Sequence, residues 1–374
     1  MLRTKTQLIN LILLTLLVFP FISSYASESI KIGVAGAHSG DLASYGLPTV
    51  NAARLVINRV NEQGGIKGHL LELLVEDDVC KPEIATNTAT KLVTQGVKIV
   101  IGHICSGATK AALPIYKEAN VLVISPSATN PELTQRGAYP NFFRTIAPDD
   151  AQAKTATNFV LNTLNLKKIA IIHDKGDYGK GLAEFSKKFI EKSGKAEITL
   201  FEGVTPGAVD YSAVVQKVRR FKADAVIFGG YHPEASKIVS QMRKKRMKTP
   251  FISFDGIKDE TFIKVAGKYA ENTYATGPAD TSTNPINKDY RTAHKKAYGE
   301  EAGAFFNNAI AATLTIVNGL RIAGSSDFDQ LSTALRTSKT ETPLGTIHFD
   351  EHGDSTGIGF SVYQVQNDEY VQVD

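Results

Sequence analysis

Residues 97–129 read VKIVIGHICSGATKAALPIYKEANVLVISPSAT, and this stretch decides the fold. A β-branched apolar run at 97–101 and a second at 121–124 read as buried strands, and the amphipathic segment 108–118 between them reads as a helix. Two strands joined by one helix run parallel. In a doubly wound sheet, ligands bind beyond the carboxyl ends of the strands. The first strand is followed there by Gly102-His103-Ile104-Cys105-Ser106-Gly107, and the second by Ser125-Pro126-Ser127-Ala128-Thr129. Each is a small, hydroxyl-rich helix entry. Its serines and threonines can cap the helix, or can join free N–H groups and the positive helix end in holding a carboxylate. Capping alone accounts for either segment by itself; two of them on neighbouring strands favour an anion.

The same alternation extends in both directions. Before it, strands at 30–34 and 70–76 are followed by helices at 50–61 and 84–94. The pattern pauses at 139–150. It then restarts with strands at 168–172, 198–204, 225–228 and 251–254, and helices at 181–193, 211–221, 236–245 and 260–269. After 274–278 the chain turns helical, notably at 305–322 and 328–337, and closes on a hairpin-like end at 346–373. The fold class expected is α/β, two doubly wound parallel-sheet lobes joined by a three-segment hinge. The late helices have too few strands for a third core, so they return to the first lobe. The expected boundaries are residues 27–147 plus 279–355 for the N-terminal lobe and 148–278 plus 356–374 for the C-terminal lobe, with crossings near Thr145 to Pro148, Gly277 and Gly353 to Gly357.

The loops at the equivalent edge of the second lobe carry different chemistry: His173-Asp174-Lys175-Gly176-Asp177-Tyr178, Gly229-Gly230-Tyr231-His232 and Asp255-Gly256. Asp255 can receive an ammonium group, and the tyrosines can cover a side chain. Anion-holding chemistry on one lobe and an acid on the other suit a zwitterion. An aspartate before glycine is also an ordinary turn former.

Residues 1–26 pair Arg3 and Lys5 with an uncharged apolar run at 8–22 and the small-x-small end Ser24-Tyr25-Ala26. This reads as a cleaved secretory signal peptide, the run being shorter than a membrane span. No cysteine stands at the junction, so the mature chain is expected free of a lipid anchor, in the periplasm. Losing Arg3 and Lys5 lowers the formal charge of +4 on 374 residues by two. That is too weak a charge to favour nucleic acid as a partner. The two cysteines, Cys80 and Cys105, are expected to oxidise to a disulfide in that compartment. Separate buried thiols are the alternative, and no His or Cys at ligand spacing supports a metal pair.

No G-x-S-x-G elbow, H-E-x-x-H motif, Walker loop or G-x-G-x-x-G fingerprint occurs, so neither catalysis nor a cofactor is expected. The cluster His348 to Asp354 lies between strand-like runs and reads as a solvated turn rather than a metal site. The basic run Arg243 to Lys248 reads as a helix C-terminus.

In their joint order, GVAGAHSG at 33–40, NEQGGIKG at 61–68, Ile101 to Ser106, ISPSATNPELTQRG at 124–137, IAIIHDKGDY at 169–178 and Gly229-Gly230-Tyr231 resemble the periplasmic branched-chain amino acid (leucine, isoleucine, valine) binding proteins. These are type I solute-binding proteins of ABC importers. The resemblance covers essentially the whole mature chain. It implies the type I periplasmic binding protein fold, no enzymatic activity, an amino acid ligand, the permease subunits of an ABC transporter as partner, and a monomer. It implies that Ser106 and Thr129 hold the ligand carboxylate, with a backbone contact at Ser127. It implies that Asp255 takes the ammonium and that Tyr231 closes over the ligand. Tyr45, Ile104, Tyr178, Phe305 and a Cys80–Cys105 disulfide would line the side-chain pocket. The family's ammonium acceptor is a glutamate, one methylene longer than Asp255, so either the lobes approach more tightly here or a water bridges. The other reading of such a cleft is a sensor presenting an amino acid or small amide to a membrane receptor. No transmembrane or signalling segment follows the hairpin-like end, which favours delivery to an importer.

Overall fold

The computed structural model describes residues 28–374; the expected signal peptide at 1–26 lies outside the described residues. Two sheets organise the chain. The first is built from β1 (Ile30–Gly36), β2 (Leu71–Asp77), β3 (Ile99–Gly102), β4 (Leu122–Ser125) and β5 (Phe142–Arg144), in the order β2-β1-β3-β4-β5 and parallel throughout. Helices α1 (Ala43–Glu62), α2 (Pro82–Thr94) and α3 (Ser106–Glu118) connect its strands.

Its strands are buried on both faces, and their side chains split with the two-residue period of a pleated strand. Ile99, Ile101, Leu122 and Ile124 pack on one face against Val50, Val56 and Ile57. Val100 and Val123 pack on the other against Ala85, Leu92, Ala112 and Tyr116.

The chain then passes through α4 (Asp149–Asn158), which continues into a wide π turn at Phe159–Thr163. Next come β6 (Lys168–His173), α5 (Asp177–Ser193), β7 (Glu197–Gly203), α6 (Ser212–Arg220), β8 (Ala225–Gly229), α7 (His232–Lys244), β9 (Phe251–Ser253), α8 (Glu260–Ala266) and β10 (Thr273–Pro278). After α9 (Pro285–Tyr298), α10 (Phe306–Ala323) and α11 (Phe328–Thr337), a short hairpin pairs β11 (Thr340–Thr342) with β12 (Gly345–Ile347). Finally β13 (Phe360–Gln366) and β14 (Glu369–Gln372) join the second sheet, whose order is β14-β13-β10-β9-β8-β6-β7. The late helices return to the first sheet, where Phe306, Ile310, Ile316 and Leu331 share a core with Ile32 and Val34.

The α/β class with doubly wound parallel sheets is therefore the observed one. Three local expectations change. The pause at 139–150 hides β5 and the start of α4, because a three-residue edge strand is too short to show a period. The first helix begins at Ala43, seven residues before its apolar stripe, with Pro48 inside it. The hairpin-like end at 346–373 divides into the closing strand of one small hairpin and an antiparallel pair on the edge of the second sheet.

Candidate functional site

The carboxyl ends of the two sheets face each other. From the first sheet, the loop after β4 is held by its own serines. Ser125 Oγ donates to His103 O at 2.6 Å and accepts from Ala128 N–H at 2.9 Å, and Ser127 Oγ donates to Ile104 O at 2.8 Å. Beneath it, the buried His103 ring contacts Asp78 Oδ2 at 2.5 Å through Nδ1 and the Tyr116 hydroxyl at 3.0 Å through Nε2. The Cys80–Cys105 disulfide ties the loop after β2 to the start of α3, which decides the open question about the thiols.

The second sheet answers with Asp255, whose Oδ1 accepts from the Tyr178 hydroxyl at 2.5 Å; that hydroxyl accepts in turn from Gly256 N–H at 2.8 Å. Close packing sets this geometry. A methyl group on Gly179 would lie 2.4 Å from Gly229 O, so α5 can press Tyr178 toward the cleft only because position 179 is bare. Across the cleft the Tyr45 hydroxyl donates to Gly256 O at 2.6 Å, and Asn130 Nδ2 donates to Asp177 O at 2.8 Å.

Seven of the expected residues meet around one small cavity: Tyr45, Ile104, Ser127, Tyr178, Tyr231, Asp255 and Phe305, with Gly256 completing the wall. The rings of Tyr178 and Tyr231 stack at 4.9 Å between centroids, and Tyr45 lies 6.0 Å from both Tyr231 and Phe305. Past Asp255 and Phe305 the space widens into a groove of about 1260 Å³ between the lobes. Ser106, Thr129 and Cys105 do not form the cavity wall. Ser106 Oγ accepts from Asn130 N–H at 3.2 Å, which leaves its own O–H to donate, and Cys105 is taken up by the disulfide.

Two fully buried residues absent from the sequence reading complete the site, Asp149 and Gln152 on the first turn of α4. Asp149 lies beside Thr129, and Gln152 beside Asp255. Both Asp149 oxygens, both Gln152 amide atoms, Thr129 Oγ1 and Asp255 Oδ2 have no protein partner. Buried polar groups are normally satisfied, so a cluster drawn from both sides of a cleft marks a place built for a polar ligand. Burial raises the Asp255 carboxyl to about 6, and the hydrogen bond from Tyr178 opposes that rise. Burial and then the charge of Asp255 push the Asp149 carboxyl well above the usual carboxylate range. An arriving ammonium would relieve both. The only sequence trace of this pair is Pro148-Asp149-Asp150, which reads as an ordinary acidic helix start.

Residues 29–369 match the family model described as periplasmic binding protein. The chain belongs to this family. Among relatives of this periplasmic binding protein is the leucine-, isoleucine-, valine-, threonine-, and alanine-binding protein of Pseudomonas aeruginosa. It is 37% identical over 345 residues, covering 92% of each chain. The branched-chain amino acid transporter substrate binding protein LivJ of Streptococcus pneumoniae, solved in complex with isoleucine, superposes with a TM-score of 0.82. It shares 30% identity over 92% of this chain and all of that one. The leucine binding protein LivK of Thermotoga maritima superposes with a TM-score of 0.86 over 92% of this chain and 98% of that one; at 24% identity it shows the shared fold. This periplasmic binding protein therefore shares its fold with both solved proteins over nearly their full length.

The remaining motifs settle into structural roles. Arg243 Nη1 donates to Met247 O at 3.0 Å and Thr249 O at 2.9 Å, closing the end of α7 as a helix terminus requires. Among the described residues no cluster of His, Cys, Asp or Glu could hold a metal. Asp354 departs from the solvated-turn reading of 348–354: it is buried and paired with Arg144.

Proposed function

We propose that this protein binds an amino acid, branched-chain aliphatic or similarly small, in the cleft and delivers it to the permease of an ATP-driven importer. The observation that carries the reading is the set of unpartnered buried polar atoms on Thr129, Asp149, Gln152 and Asp255 beside an aromatic-walled cavity. The loop after β4 and the start of α3, with Ser106, Ser127 and Thr129, receive the carboxylate. Asp255 receives the ammonium, with Asp149 as a second acid beside it. Tyr45, Ile104, Tyr178, Tyr231 and Phe305 cover the aliphatic side chain, and Cys105 backs that wall through its disulfide. The P. aeruginosa relative is a leucine-, isoleucine-, valine-, threonine-, and alanine-binding protein, and the S. pneumoniae structure holds isoleucine, which supports this class. The protein acts as a periplasmic monomer without cofactor, and it closes by rotation about the three connections between its sheets.

Calorimetry against the twenty amino acids tests the reading, with the aliphatic ones expected to bind. Asp255→Ala leaves a buried ammonium without its counter-charge and is expected to weaken binding by about 30-fold or more, ~2 kcal/mol. Unchanged affinity in that variant would remove Asp255 from the site.

A further inference from the structure

Arg144, at the end of the edge strand β5, is fully buried, and every nitrogen of its guanidinium is engaged. Nε donates to Asp354 Oδ1 at 2.6 Å and Nη2 to Thr134 Oγ1 at 2.6 Å. Nη1 reaches Asn130 O at 3.0 Å and Ala128 O at 3.3 Å. The two carbonyls flanking Thr129 are thus held by one side chain, and the carbonyl of Thr129 itself is held by Asp149 N–H at 3.0 Å. The backbone of the same arginine carries the other half of the arrangement. Its N–H donates to Gly353 O at 3.0 Å, its carbonyl accepts from Ser355 N–H at 3.2 Å, and the next residue, Thr145, donates to Ser125 O at 3.0 Å. Gly353, at φ +91, permits this approach; a methyl group there would lie 2.2 Å from Phe142 O. Of the three chain passages between the sheets, 145–148 follows Arg144 directly and 353–357 is bonded to its backbone, and the side chain of the same residue grips the loop carrying Thr129.

We infer that Arg144 is a positioning residue: it locks the ligand loop to two strands of the hinge, so that Thr129 and Asp149 hold a fixed geometry while the lobes rotate. This rests on the binding function proposed above. A buried ion pair is an inefficient source of stability alone, since apolar packing serves as well. The planar fork, which a lysine cannot reproduce, is what spans two loops at once.

The test uses the full mature chain and three variants. Arg144→Lys keeps the charge and loses the fork, and Arg144→Gln/Asp354→Asn removes both charges together, so that neither is left buried and unpaired. Arg243→Lys is the control, because Arg243 holds two carbonyls in the same manner at the far end of α7. Binding of leucine, isoleucine, valine, threonine and alanine is measured by calorimetry, and amide hydrogen exchange is followed in ligand-free protein over 125–130, 145–149 and 353–357. Both Arg144 variants are expected to bind at least tenfold more weakly and to exchange at least tenfold faster in all three segments, while Arg243→Lys stays within twofold of wild type in both. Wild-type affinity with faster exchange would make Arg144 a structural residue only and overturn the inference, as would weaker binding with unchanged exchange. If wild type binds none of the five amino acids, the functional reading falls, and the exchange rates alone decide whether Arg144 couples loop and hinge.

Discussion

Asp255, the ammonium acceptor proposed above, is buried with only one of its carboxylate oxygens partnered. The Tyr178 hydroxyl occupies one oxygen and leaves the other without a protein partner. Its carboxyl, raised by burial to about 6 from an ordinary value of 3.8, has two opposite consequences for pH. Between those values the folded protein keeps a proton that the unfolded chain releases, so Asp255 lowers stability as pH rises through that window. Ligand binding runs the other way, because an ammonium needs the ionised acid. Affinity is expected to be full above about pH 6 and to fall by roughly tenfold per unit below it. Calorimetry from pH 8 to pH 4.5 checks this, and a flat profile would mean that Asp255 is not the ammonium acceptor.

At the scale of elements, the site depends on how closely helices approach the strand ends. Gly179 of α5 and Gly229 of β8 face each other so tightly that a methyl on either would meet backbone, at 2.4 Å and 2.1 Å from the facing carbonyl oxygen. Gly179→Ala is therefore expected to destabilise the protein by about 1–3 kcal/mol, as overpacking of a filled interior does. Because α5 carries Tyr178, the same variant should also weaken ligand binding. Thermal unfolding with and without an aliphatic amino acid reads both effects; an unchanged melting temperature would show that the contact can relax freely.

For the whole molecule, the Tyr45–Gly256 and Asn130–Asp177 bonds and the Lys110 ion pair with Asp177 join the two lobes directly. These contacts must break for a ligand to enter, and a bound ligand that bridges both lobes favours the state in which they form. Small-angle scattering is expected to show a smaller radius of gyration at saturating ligand than without it. An unchanged value would argue against closure as the response to binding.

Much of this was legible in the chain itself. Fully apolar strands spaced by amphipathic helices determine parallel sheets covered on both faces, and that topology alone directs the reader to the loops after 101, 124, 172, 228 and 254. Five of the seven expected residues at the cavity, Ile104, Ser127, Tyr178, Tyr231 and Asp255, lie in or beside those loops because strand ends are addressed by local sequence, whereas Tyr45 and Phe305 came only from the family resemblance. Asp149, Gln152, Arg144 and Asp354 were not legible. Their partners lie far along the chain, up to 210 residues for the Arg144–Asp354 pair, and each lies in a segment that reads locally as a helix start, a short edge or a turn. Periodicity reports which face of an element is buried, whereas the partner of a buried polar group depends on which loops the fold brings together, and only the tertiary structure decided that.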